Sequence, residues 1–200
     1  SSLLVKHSIR IQPEESVLIE AFDIPEEMVI ALIRAVRYAG GIPMVSLKKN
    51  PIQRELIRTG CIKGLKQIAD CEAYRMKRVQ AYIGIRGSHN ITEMSDVSSE
   101  SMQAYEKYWL DPVHFELRVP KTRWVVLRWP TPSMAQQARK STEAFEDFYF
   151  DVCTLDYGKM EVATLHLKER MEKTDCVQIL GPGTNLNFSI KDIPVIPCSG

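Results

Sequence analysis

No stretch of these 200 residues approaches the roughly eighteen or more apolar residues that a membrane-crossing helix needs. The opening SSLLVKHSIRIQ also lacks the long apolar region and small-residue cleavage site of a secretory signal. The chain therefore reads as cytoplasmic, with no membrane as partner. An excess of one charge is missing too. With 26 Lys and Arg against 25 Asp and Glu, no broad field would gather nucleic acid at the surface, and nucleic acid is excluded as a partner. The five cysteines are odd in number and contain no CxxC, nor a His at zinc-finger spacing; this predicts reduced, mostly buried thiols. The four histidines form no HExxH, and neither a GxGxxG nor a GxSxG occurs. Internal repeats and low-complexity segments are absent as well.

What is present describes an ordinary soluble chain, 44% hydrophobic and 26% charged, long enough for one sizeable core in one domain. Seven of its sixteen aromatic residues fall in the thirty-five positions from Arg123 to Tyr157, which makes that stretch the expected centre of the core. Arg123 to Trp129 mixes aromatic and β-branched residues as a strand does, and Pro130 and Pro132 end it by removing backbone donors. After Ser141 and Thr142, potential caps, Phe145, Phe148, Val152 and Leu155 recur with helical spacing and predict one aromatic docking face.

Upstream, Val17 to Phe22 is a short apolar strand. Asp23 and Glu26 offer a capping pair around Pro25, and Met28, Leu32, Ala35, Val36 and Ala39 make a helical stripe closed by Gly40 and Gly41. Ile42 to Leu47 is the next strand. Strand, helix and strand with short joints is a βαβ unit, whose right-handed crossover makes the strands parallel. The pattern continues through helices at 51–59 and 65–78, a strand at 79–85 and a helix at 98–110 that Pro112 breaks or kinks. A helix at 159–173 and strands at 176–180 and 184–190 follow. The fold class is α/β: a mainly parallel sheet flanked by helices, Rossmann-like or flavodoxin-like, in a single domain.

Candidate sites are few. Gly87-Ser88-His89-Asn90 follows a strand, where open α/β sheets bind ligands, so Ser88 and Asn90 are candidates for a ligand site. A plain connection explains the same residues. Arg123 and Arg128 flank an apolar strand and could reach a carboxylate, or pair within the structure; Arg128 and Trp129 are candidates for an interdomain contact. His166 and Glu169, with Glu161 or Asp156 nearby, give at most an incomplete metal set on a solvated helix face. Ser133, Ser141 and Cys153 are possible nucleophiles that caps and core packing also explain. Gly181-Pro182-Gly183 reads as a hairpin turn.

The runs RWVVLRWPTPSMAQ, STEAFEDFYFDVCTLDYGKM and ILGPGTNLNFSIKDIPVIPCSG, with GSHNITEMSD and QPEESVLIEA upstream, closely resemble the N-terminal half of the aminopeptidase T / aminopeptidase S family of thermophilic-type metallopeptidases. The likeness covers essentially the whole chain. It implies a homodimeric, two-domain exopeptidase that removes N-terminal amino acids from peptides with two divalent metal ions of the zinc, cobalt or manganese type. The metal ligands of that family belong to the C-terminal half, so the resemblance places no catalytic, cofactor or metal residue in this chain. It implies an N-terminal α/β domain at 1–192, and at 193–200 the start of a connection to an absent C-terminal catalytic domain, its principal partner. Asn185 and Ser199 stand where the family often has an acidic residue. A free-standing α/β module binding a small ligand, and a degenerate homologue acting in assembly, are the competing expectations. Apolar exposure around Trp129-Pro130 or 193–197 would favour a missing half.

Overall fold

The computed structural model describes residues 1–198, which form two compact units divided between Cys153 and Thr154. In the first, a π-helical turn at Leu4–Ser8 leads to β1 (Ser16–Phe22), α1 (Glu26–Tyr38) and β2 (Ile42–Lys48). Strands β1 and β2 pair in parallel from Ser16 opposite Ile42 to Phe22 opposite Lys48, the βαβ unit expected from the sequence. Then α2 (Asn50–Arg58) and α3 (Ile62–Met76) carry the chain to β3 (Ala81–Arg86), which pairs with the other side of β1. Next come α4 (Ser99–Tyr105), a π-helical segment (Glu106–Arg118) and the single turn α5 (Val119–Lys121). The last strand, β4 (Arg123–Arg128), pairs in parallel with β3. The four-stranded order is β2-β1-β3-β4, the predicted parallel sheet flanked by helices.

The pleat distributes the core. Successive side chains of a strand point to opposite faces, so Val17, Ile19, Ala81, Ile83 and Ile85 pack with Val5, Ile9, Leu32 and Val36 on one face. Leu18 and Tyr82 face the other way and meet Ile57, Leu65, Met76, Trp109, Val113 and Leu117. The core therefore centres on β1 and β3. The aromatic stretch is peripheral, contrary to expectation: β4 is an edge strand with Trp124 43% exposed.

Several local expectations change for identifiable reasons. Asp23 does not cap α1, whose N-cap Pro25 makes no side-chain bond. Its carboxylate instead accepts the Asn50 backbone N–H at 2.9 Å, serving the start of α2 from a distance. Pro112 breaks nothing, because the helix there is π-helical from Glu106 to Arg118; the wider i→i+5 turn accommodates a ring that clashes in an α-helix. Gly64 lies inside α3. Beyond β4, α6 (Pro132–Gln137) is followed by α7 (Thr142–Cys153), whose first turn is capped by Ser141, as expected: Ala144 N–H donates to Ser141 Oγ at 3.2 Å. The thiols are free, but Cys61, Cys71, Cys176 and Cys198 are exposed and Cys153 half-buried, so the predicted burial fails.

The second unit contains α8 (Tyr157–Glu172) and an antiparallel hairpin of β5 (Cys176–Gly181) and β6 (Thr184–Ser189), with the expected turn between them. Gly183 adopts φ +71°, which its lack of a side chain permits. Not one described residue of this unit is buried. Among the described residues, no helix is long and apolar enough to cross a membrane.

Candidate functional site

Connections leave β1 towards β2 on one side and return to β3 on the other, so the sheet has a switch point where β1 and β3 end side by side. Open α/β sheets bind ligands in that crevice. Gly87 makes the close approach possible: a Cβ there would stand 2.4 Å from the Asp23 carbonyl oxygen. Its N–H donates to Phe22 O at 2.8 Å, and its carbonyl accepts Asn50 Nδ2 at 2.9 Å. A cavity of about 470 Å³ opens here, lined by Arg86, Ser88, Asn90, Glu93, Arg128 and Ser133.

Of the four candidates for a ligand or interdomain contact, Ser88, Asn90 and Arg128 thus meet at one site, together with Ser133. Ser88 and Asn90, however, are occupied locally. Ser88 Oγ donates to Asn90 O at 2.6 Å, while Asn90 Oδ1 accepts Thr92 N–H at 3.1 Å and Thr92 Oγ1 at 2.8 Å. Ser133 Oγ donates to Ser88 O at 2.6 Å. These hydroxyls hold the loop, their bonds going to loop carbonyls, to the Asn90 amide oxygen and to one another. Arg128 makes no ion pair among the described residues; its carbonyl accepts the Tyr149 hydroxyl. Glu93 is drawn to Arg54 at 3.0 Å, and the Arg86 guanidinium turns under the sheet towards the Tyr82 hydroxyl and Glu20, so the crevice offers the guanidinium group of Arg128 to an anion. Trp129 lies outside it. It lines a neighbouring cavity with His89 and Pro130 and meets Phe150 edge-on at 5.8 Å. Arg123 pairs with Glu15 and donates Nε to Ile9 O at 2.8 Å, a structural use.

A second site, under the sheet, escapes motif reading. Glu20 in β1 is 2% exposed, with Lys48 Nζ 3.0 Å away and Arg118 Nη2 3.6 Å away. Tyr82 donates its hydroxyl to Glu20 Oε1 at 2.7 Å, and Arg118 stacks over the Tyr82 ring at 4.0 Å. Lys48 also binds Glu72, which accepts Trp109 Nε1 at 2.9 Å. Burial by itself would raise the Glu20 pKa, but Lys48, Arg118 and the Tyr82 hydroxyl hold it below the ordinary carboxylate value. Burial, reinforced by Glu20, pushes the Tyr82 phenol up. His114 is pushed down by burial and then by Arg118 and Arg86. The signal in the sequence was a glutamate inside the apolar run VLIEAF.

The donors present do not fit a two-metal centre. Among the described residues, no group of three or more His, Cys, Asp or Glu is placed to hold a metal ion, and the buried carboxylates Glu20 and Glu72 are already matched by Lys48 and Arg118. His166, Glu169 and Glu161 lie exposed on α8, and Asp156 caps that helix by accepting Lys159 N–H at 3.1 Å. Asn185 accepts Gln178 Nε2 across the hairpin at 2.9 Å. Ser199 lies outside the described residues.

The fold has a solved counterpart. A structure of wild-type AmpT from Thermus thermophilus superposes with a TM-score of 0.64 at 14% identity, over 94% of this chain and 51% of that one. The chain thus spans about half the length of that relative. No curated protein matches the sequence. The sequence pattern of the family described as thermophilic metalloprotease (M29) matches residues 1–177, the whole parallel sheet and all of the first unit included. An α/β sheet of AmpT-like topology carrying that pattern from its first residue leaves one assignment: the chain belongs to the thermophilic metalloprotease (M29) family.

Proposed function

We propose that this chain is the N-terminal, non-catalytic α/β part of a metal-dependent aminopeptidase that releases N-terminal amino acids from peptides. Residues 1–192 form that part, and 193–200 begin the connection to a C-terminal half that carries two divalent metal ions. The whole enzyme is a cytoplasmic homodimer. The observation that carries the reading is the family match over 177 residues on a chain spanning half of an AmpT chain. Apolar exposure supports it: Ile193 is 59% and Ile196 77% exposed, and Leu180, Leu186 and Phe188 of the hairpin stand open as well, surface that a further domain would cover. The Trp129-Pro130 corner gives no such support, being packed within the first unit. In this reading the chain walls the chamber in which the peptide sits, and no chemical step falls to its residues.

The test compares this chain with the product of the uninterrupted reading frame. Metal content and turnover of amino-acid anilides are measured for both with added zinc, cobalt or manganese. Only the longer product should bind about two metals and turn over. Hydrolysis by the short chain would overturn the reading and direct mutation to His166 and its neighbouring carboxylates.

The crevice keeps a second reading open, a free-standing module for a small anion, favoured by Arg128 at the switch point, which makes no ion pair among the described residues. It requires saturable phosphate binding by this chain that Arg128→Gln abolishes.

A further inference from the structure

The cavity between the sheet and the π-helical segment differs from the crevice in what it leaves unsatisfied. It measures about 380 Å³ and is lined by Glu20, Lys48, Gln53, Glu72, Arg86 and Arg118, with aromatic rings around them. That volume suits a small molecule. Three cations face two carboxylates, an excess of one positive charge. Arg118 is 4% exposed, yet its Nε has no hydrogen-bond partner, and neither has the buried Oε1 of Gln53. An unpaired buried donor and an unpaired buried acceptor each cost free energy that a ligand would recover.

The surrounding bonds show why these two atoms are left over. Arg118 spends Nη2 on Glu20 at 3.6 Å and Nη1 on His114 Nδ1 at 3.2 Å, so its Nε edge remains for another acceptor. Gln53 Nε2 donates to the Tyr105 hydroxyl at 3.4 Å, which fixes Oε1 as the free end of the amide. Arg86 makes only long contacts, a hydrogen bond to the Tyr82 hydroxyl at 3.5 Å and an ion pair with Glu20 at 4.0 Å, and stays 39% exposed. Trp124 and Phe115, 43% and 58% exposed, also line the cavity and offer rings to an apolar group.

We propose that this cavity binds a small zwitterion, an α-amino acid with an apolar side chain being the simplest. Its carboxylate lies against Arg118 and Arg86, and its ammonium against Gln53 Oε1. The apolar side chain rests against the rings. The inference does not depend on the peptidase reading, because it concerns groups that take no part in metal chemistry.

Trp109 and Trp124 line the cavity, so tryptophan fluorescence of this chain reports occupancy. L-phenylalanine should quench it saturably at millimolar concentration or below. Phenylethylamine, which lacks the carboxylate, should leave it unchanged. Arg86→Gln should weaken phenylalanine binding about tenfold or more, the effect of one charge-assisted hydrogen bond. Gln53→Leu should weaken phenylalanine but spare phenylpropionate, which lacks the ammonium. Thermal melts of both variants establish that they are folded. The proposal is overturned if phenylalanine gives no saturable signal, as a water-filled cavity would. It is overturned equally if phenylethylamine gives the same saturable signal, if inorganic phosphate displaces phenylalanine, or if Arg128→Gln abolishes the signal, which would move binding to the crevice.

Discussion

Glu20 shows how a single residue can organise a face of the sheet. A carboxylate this deep is tolerable only because Lys48, Arg118 and the Tyr82 hydroxyl surround it. Removing its charge would leave Arg118 buried without a counter-ion, so Glu20→Gln should destabilise the chain by about 3 kcal/mol in urea unfolding. His114 contributes pH dependence at the same site. Burial first, then the nearby Arg118 and Arg86, oppose its protonation and only Glu20 favours it, so its folded pKa lies below the ordinary value. Its contribution is then full above the unfolded value of about 6.5 and is lost as pH falls through the folded value. Melting temperatures measured from about pH 7 downward should fall in this range, and the fall should be smaller in His114→Gln.

At the scale of elements, α7 illustrates a period read correctly and a face read wrongly. Helical spacing in the sequence identified the helix, but Phe148 is 53% and Val152 47% exposed, while Phe145 is 8%. The helix buries Phe145, sets Phe150 edge-on against Trp129 and donates the Tyr149 hydroxyl to the Arg128 carbonyl. Adjacent positions Tyr149 and Phe150 both carry rings, so several stripes fit the same sequence and only the neighbouring surface selects one. Phe145→Ala should cost about 3 kcal/mol, whereas Phe148→Ala should stay within about 0.5 kcal/mol, read as shifts in the denaturation midpoint.

On the scale of the whole molecule, the two units differ in what they bury. Both hydrophobic clusters lie between Leu4 and Leu117, apart from partly buried Val125, Val126, Leu127 and Trp129 of the edge. A fragment ending at Cys153 should therefore keep one cooperative unfolding transition by circular dichroism. Residues 154–200 alone should show none, because no described residue there is buried and an isolated helix and hairpin are marginal in water. A sharp transition in that short peptide would contradict this account.

Sequence by itself determined what local chemistry controls. Apolar runs placed β1, β2, β3 and β4 within a residue or two at most ends, Gly40-Gly41 ended α1, and the short βαβ joints made the sheet parallel. The family, too, was legible in the long runs between Gln12 and Met160, which fall within the matched residues. Sites were legible only where loop position reveals them: Ser88, Asn90 and Arg128 meet at the switch point, but the hydroxyl and amide are spent on the loop itself. Tertiary structure decided the rest. Glu20, Lys48, Glu72, Tyr82 and Arg118 are scattered over 99 positions of sequence and converge because parallel strand register and the helix packing above it put their side chains on one face. No spacing rule encodes that meeting, since it depends on which strands pair and which face each helix covers.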